Sequence, residues 1–469
     1  MMRKCSLLLL LLFVVIVPFV PLGTVSSRAD DRHDRHDRDD GRVDGKDKGD
    51  NPGAVQLLKI IPVPVNPANN TAGALYSFDI SWVDQATQTY YLADRSNRAV
   101  DIVDAKTNTF RGQLTATPPF AGISPPAFST ATAGPDGVVT GGHCLFVTDA
   151  PSRVVSFDTR SFPPTQISDV RTATPTNNRA DELAYDPKDR LLLVINNADT
   201  PPFGTLITVD PASCFLTPPT PANKITLDAA HGVDAQNGAE QPVWHPRTRK
   251  FFLSIPQIGA APAVGGVVQI DPKTGKIDKT FLINFCSPAG LTVGPDDDLL
   301  IGCNTVFDTA GHVWDPAGTV TAAPKDVILN VRTGASKDVL GVGAGDEVWF
   351  NQGDGNYYAT GSGSPFRPLP AATAKGATPL GVINADDGKL IQSVPTYNVP
   401  AVLTGPATGQ HPAGTAHSVA ANAANNLVFV PLGSNNAFSA FAVPGLGPVP
   451  DCETGCIAVF GRSSGEDDD

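Results

Sequence analysis

After residue 29 no apolar stretch is long enough to cross a membrane, so no span is expected in the mature chain. No long run repeats its apolar residues every 3.6 positions, which argues against helical bundles. Several chemical signatures are missing as well. There is no Ser/His/Asp nucleophile signature, no phosphate-binding glycine loop, no dinucleotide fingerprint and no HExxH zinc motif. No short motif therefore names a reaction. Basic residues are in deficit, with 34 Lys+Arg against 47 Asp+Glu and a net charge of −13. Residues 1–29 hold three cations and no acid, so their removal takes the net charge to −16. Such a surface repels nucleic acid and suits solubility, cations or basic partners.

What is present begins with export. Arg3 and Lys4 precede an apolar run from Leu7 to Val20, and Ser27-Arg28-Ala29 fits a small-x-small cleavage site. Residues 1–29 read as a signal peptide, giving a periplasmic or secreted protein. Residues 30–53, with "DDRHDRHDRDDGRVDGKDKGD", hold almost nothing to bury and read as a charged linker; 465–469 form an acidic tail. Six cysteines follow Cys5, an even number that favours disulfides in an exported chain.

The rest of the chain is a repeat. Seven short apolar runs share one look: "YYLAD", "LFVTD", "LLVIN", "FFLSI", "LLIGC", "YYATG" and "VFVPL". Their mean spacing is about 56 residues, near the period of kelch-type blades. A second strand follows each and ends in an Asp- or Asn-opened turn, as in "VDAKTN" and "IDPKTG". A third strand precedes each, as in "DISWVD" and "DELAYD"; in the second repeat only "GPDG" is clear there. A fourth fits "TFRGQL", "KTFLI" and "KLIQSV". Forty-four Gly and 43 Pro supply the turns. The expectation is an all-β, seven-bladed β-propeller with four-stranded blades over 54–464. The last repeat lacks a fourth strand, which "VQLLKIIPV" (55–63) is expected to provide.

The segments "ITVDPAS", "VVQIDPKTGK" and "HSVAANAANNLVFVPL" resemble bacterial YVTN-type β-propellers. That resemblance implies the fold and leaves function open, since propellers host unrelated activities. A more distant likeness is to the senescence-marker/gluconolactonase propellers, which bind a divalent cation with Glu, Asn and Asp and hydrolyse lactones. No residue-by-residue motif match accompanies it, so no catalytic residue is carried over.

In a propeller the innermost strand runs down the channel from the top face, and its neighbour returns. Five positions before the end of each innermost strand stand Asp79, Asp181, Glu240, Ala289, Asp346 and His417. At the ends of the returning strands stand Asp94, Asp149, Asn196 and Asn304. Both sets are expected around one mouth. Asp181, Glu182, Glu240 and Asp346 are candidate ligands for Ca²⁺ or another divalent cation, for which hard oxygens suit. Asp79, Asp94, Asp149, Asn196 and Asn304 are candidate ligand-binding residues. His417 with Glu240 would serve acid–base chemistry if the site is hydrolytic. His245, at the far end of its strand, is expected on the bottom face. Top loops carry Phe203, Phe307, Trp314 and Phe366 as candidate apolar contacts.

The same topology suggests the bonds Cys286–Cys303, Cys452–Cys456 and Cys144–Cys214. The expected function is a binding module, taken to be a monomer, that engages a small molecule or a protein through its top face. The other reading is a metal-dependent lactonase-like hydrolase at the channel mouth.

Overall fold

The computed structural model describes residues 53–69, 73–123, 129–313, 324–342, 345–361, 380–394, 396, 417–433, 442–443, 447–448, 452 and 454–462. The segments expected to be a signal peptide, a linker (up to residue 52) and an acidic tail lie outside them, as do Trp314 and Phe366. From Pro52 onward the chain is one compact unit. Among the described residues there is no α-helix; strands and three short 3₁₀ turns account for the regular structure.

Each of the seven apolar runs is a strand: Thr89–Asp94, Cys144–Asp149, Leu191–Asn196, Lys250–Ile255, Asp298–Val306, Asn356–Gly361 and Leu427–Leu432. Leu192 to Ile195 are all buried. Strands covered on both faces read as continuous apolar runs, and for that reason they dominate the sequence pattern. The outermost strands instead alternate, as Thr165–Arg171 does between exposed and buried. This weaker pattern hid Thr165–Arg171 and Ser336–Leu340 from the sequence reading. The innermost strand of the second repeat is Val138–Gly141; the "GPDG" segment, expected as the turn at its end, instead precedes it and forms no turn.

The strands form antiparallel meanders in chain order: Ser81–Leu114, Val138–Arg171, Leu183–Thr226, Pro242–Asn284, Cys286–Leu340 and Gly345–Val394. The fourth and fifth join as one eight-stranded sheet through a single parallel bridge, Val264 to Cys286. In the third, the outer strand is split into Phe215–Leu216 and Lys224–Thr226, both paired with Phe203–Asp210. Pro218, Pro219 and Pro221 lie between them, and proline cannot donate to a ladder. The last sheet takes its edge from the other end of the chain. Val55–Pro62 pairs antiparallel with Cys456–Arg462, Val55 opposite Arg462 and Pro62 opposite Cys456.

Asp and Asn open the turns for a local reason. Asp186 Oδ1 accepts from the amide of Lys188 at 2.8 Å, and Asp271 Oδ1 accepts from Lys273 at 2.8 Å and Thr274 at 3.0 Å. Burial is not concentrated at one centre. Seven apolar clusters among the described residues each lie between two successive sheets, the last one back against the first. The innermost strands touch in the same order, and Ala420–Asn422 touches Ser81–Asp84. Their N-terminal ends are thereby gathered together.

The three disulfides join Cys144 to Cys214, Cys286 to Cys303 and Cys452 to Cys456. The first ties the second sheet to the third across 70 residues.

Candidate functional site

Asp79, Asp181, Glu182, Glu240, Asp346 and His417 all stand at or just before the N-terminal ends of innermost strands. With Arg179 and Glu347 they line one cavity of about 190 Å³. The alignment at the fifth position thus brings five of its six positions to one place; Ala289 is the exception. It missed a further acid. Asp136 stands five positions before Gly141, the last residue of the obscured innermost strand. Its oxygen lies with those of Asp79 and Asp181 in a group within 4.8 Å of one another.

The sequence reading also missed two arginines. Arg95 is 2% exposed; its Nη2 pairs with Asp79, and its Nε donates to Asp136 Oδ1 at 2.8 Å. Arg179 Nη2 donates to Asp181 Oδ2 at 2.8 Å, and Nη1 lies 3.6 Å from Asp136. His417 bridges two acids, with Nε2 2.6 Å from Asp79 Oδ1 and Nδ1 2.7 Å from Asp346 Oδ2. Asn304 Nδ2 holds the other oxygen of Asp346 at 2.8 Å. Glu347 accepts from Ser418 Oγ and from the Val419 amide at 3.0 Å. The signal for Arg95 and Arg179 was weak, because neither occupies the aligned position.

Seven carboxyl groups and three cations cannot all be charged in so small a volume without repulsion. Burial opposes ionisation of Asp79, but Arg95 and His417 hold it well below the usual carboxylate range. Burial, then the charges of Asp181 and Asp346, push Glu240 up to about 8 against the pull of Arg179. Burial pushes Glu347 to about 8 despite its bond from Ser418. Asp181 rises to about 6, mainly by burial, with Arg179 opposing. Burial and four neighbouring carboxylates raise Glu182 well above its ordinary value. Burial disfavours the imidazolium of His417, yet Asp346 and Asp79 push it to about 10. His417 is therefore a cation at neutral pH. A protonated ring has no lone pair to receive a proton, which weakens its expected role as a base.

These shifts set a pH dependence. Glu240 and Glu347 start from 4.5 and reach about 8, so between those values the folded state holds protons that the unfolded chain has lost. Stability falls as pH rises through that window. The contribution of His417 is full below 6.5 and is lost as pH rises through about 10. Asp79 acts oppositely, but only under acidic conditions, where its stabilisation is lost as pH falls. The thermal midpoint should therefore drop by roughly 5 °C or more from pH 5.5 to pH 9. A melting series that stays flat or rises over that range would contradict this account.

The other expected residues are placed away from the cavity. Asp94 is bound to Asn97, whose amide donates at 2.9 Å. Asp149 accepts from the Ala121 amide and from Arg153 Nη1, both at 3.0 Å. Asn196 Nδ2 donates to Ser152 Oγ and to the carbonyl of Arg179, both at 3.1 Å. These three secure loops. Asn304 acts on the cavity through Asp346. His231 is exposed and pairs with Asp228, while His245 is buried and accepts from the Thr248 amide at 3.2 Å. Phe203 and Phe307 are buried rather than presented to solvent.

A second cavity, of about 430 Å³, adjoins the first at Arg179. Its lining includes Asn197, Asp199, Thr200, Gln236 and Asn237.

The fold and the inward-facing polar cluster define an all-β protein of propeller-like build. The likeness rests on a solved structure, the hydrazine synthase of Kuenenia stuttgartiensis, a β-propeller-containing protein. It aligns with a TM-score of 0.55 and 13% identity, over 83% of this chain and 96% of that one. At this identity the likeness concerns the fold alone. No family model matches the chain, the YVTN-type repeat included, and no curated protein matches it. Among the described residues no helix is long and apolar enough to cross a membrane.

Proposed function

We propose that residues 54–464 form a seven-bladed β-propeller, exported from the cell, that works as a binding module for a small polar ligand. The cyclic order of inner-strand contacts and the strand pairing between the two chain ends support the blade count. Three disulfides support an oxidising compartment. The observation that carries the binding reading is the junction of the two cavities at Arg179. Its side chain is 12% exposed and its guanidinium is already oriented by Asp181, so it can donate to a ligand oxygen. The amides and hydroxyls of the larger cavity suit a hydroxyl-rich molecule.

Calorimetric titration with a panel of sugars, polyols and sugar acids tests this. Binding by at least one of them should weaken by about tenfold or more in Arg179→Met, a loss of one charge-assisted bond. A panel without binders, or a variant that binds equally well, would remove the mouth from consideration.

In this reading Arg95, Arg179 and His417 take the place of a bound Ca²⁺. The acids nearest together, Asp79, Asp136 and Asp181, are already neutralised by them. Among the described residues, the buried oxygens of this cluster without a hydrogen bond belong to Asp136, Asp181 and Glu182. Metal analysis after gentle purification should find no stoichiometric divalent ion, and EDTA should not lower the thermal midpoint. The hydrolase alternative is favoured by one observation: Glu240 near 8 and Asp181 near 6 place an acid and a base in one cavity. Lactone or ester turnover that disappears in Glu240→Gln would establish it.

A further inference from the structure

Past the acidic cavity, further along the same innermost strands, lies a larger chamber of about 550 Å³. Trp82, Tyr185, Trp244, Trp349 and Phe350 border it, from four different sheets. All five are only partly buried, although they stand on the innermost strands. Trp82 and Trp349 meet edge to face, with centroids 5.0 Å apart, and Trp82 Nε1 donates to Thr140 Oγ1 at 2.9 Å. This holds their rings in place. The volume lies in the range of small-molecule sites, and water gains little from apolar walls.

Thr140, Gln241 and Thr292 are the uncharged polar members of the lining, and Glu182 is the one charged residue in it. Glu182 borders both the chamber and the acidic cavity. It is 7% exposed, and among the described residues its Oε2 has no hydrogen-bond partner. It shares the acidic cavity with Asp181, Glu240, Glu347 and Asp79, whose charges oppose its ionisation, and the cations there, Arg179 and His417, are paired with other acids. A buried acid among acids lacks a cation or a donor.

We infer that this chamber binds an organic ammonium ion with an apolar body, its charged head against Glu182 and its body among the tryptophans. The alternatives fit less well. An anion would be repelled by Glu182, the one charged residue that lines the chamber. A neutral apolar molecule would leave Glu182 without a partner. A metal ion would face rings where it needs oxygens. An ammonium satisfies both ends, by a charge-assisted hydrogen bond and by attraction to aromatic faces. The inference does not depend on the ligand proposed for the mouth.

Three of the four tryptophans border the chamber, so their fluorescence reports its occupancy. The probes are 2-phenylethylammonium, its neutral isostere 2-phenylethanol and the anion phenylacetate, with excitation selective for indole. The ammonium should give a saturable change, with the alcohol at least about tenfold weaker and the anion silent. Glu182→Gln should weaken the ammonium by about tenfold or more and leave the alcohol unchanged. Trp244→Ala should weaken both. Thermal midpoints of the variants verify that each is folded. Equal affinity for the three probes, no saturable signal, or an ammonium affinity unmoved by Glu182→Gln would each overturn the inference.

Discussion

A chain lacking residues 53–63, with residues 1–52 retained, should not accumulate as a stable folded protein. Val55, Leu57, Ile61 and Val63 are all at most 6% exposed. Each contributes about 1.5–3 kcal/mol by burial, and together they rival the whole stability of a typical domain, about 5–15 kcal/mol. The deletion also strips the ladder from Cys456–Arg462, leaving an open edge. Low soluble yield and loss of the cooperative melt are the expected results. A synthetic peptide covering 53–63 should restore part of the melt when added. A truncated chain that melts within a few degrees of the full one would refute the closure argument.

Arg95→Ala should cost about 3–5 kcal/mol, because it leaves Asp79 and Asp136 buried without their main counter-ion. Lysine should not rescue it, since one ammonium cannot reproduce the fork that serves both acids. Arg95→Met with Asp136→Asn should recover part of the loss, because the orphaned charge is removed as well. The contrast is Arg160→Ala. Arg160 is 61% exposed in its pair with Asp158, and solvent screens such surface pairs so that they add little to stability. Chemical denaturation of the four variants gives the comparison. An Arg95→Ala loss no larger than that of Arg160→Ala would show that the buried cluster is not held together by its charges.

The strand pattern was legible in the sequence because central strands are covered on both faces, and burial on both faces leaves continuous runs such as Leu191 to Ile195. Turn positions were legible because Asp and Asn bond their own backbone within three residues. Cys286–Cys303 and Cys144–Cys214 followed from strand direction, and Cys452–Cys456 from sharing one loop. Asp79, Asp181, Glu240, Asp346 and His417 were legible as a set, since a repeat returns equivalent positions to equivalent places. Asp136 escaped because the apolar context that sets the register was thin around it.

Other features depended on contacts between distant residues. Nothing local distinguishes Arg95 and Arg179, which enter the cluster, from Arg160, which faces solvent. Asp94 and Asp149 resemble Asp79 in the sequence, yet one is bound to Asn97 and the other to Arg153 and Ala121. The protonation of Glu240 and the charge of His417 likewise depend on neighbours from other sheets. Local sequence determined the strands, the turns and which positions recur, since those depend on side-chain periodicity and short-range hydrogen bonds. The tertiary structure decided which acids are paired, which hold protons and where the aromatic chamber lies, since burial and Coulomb interactions act through space between residues far apart in the chain.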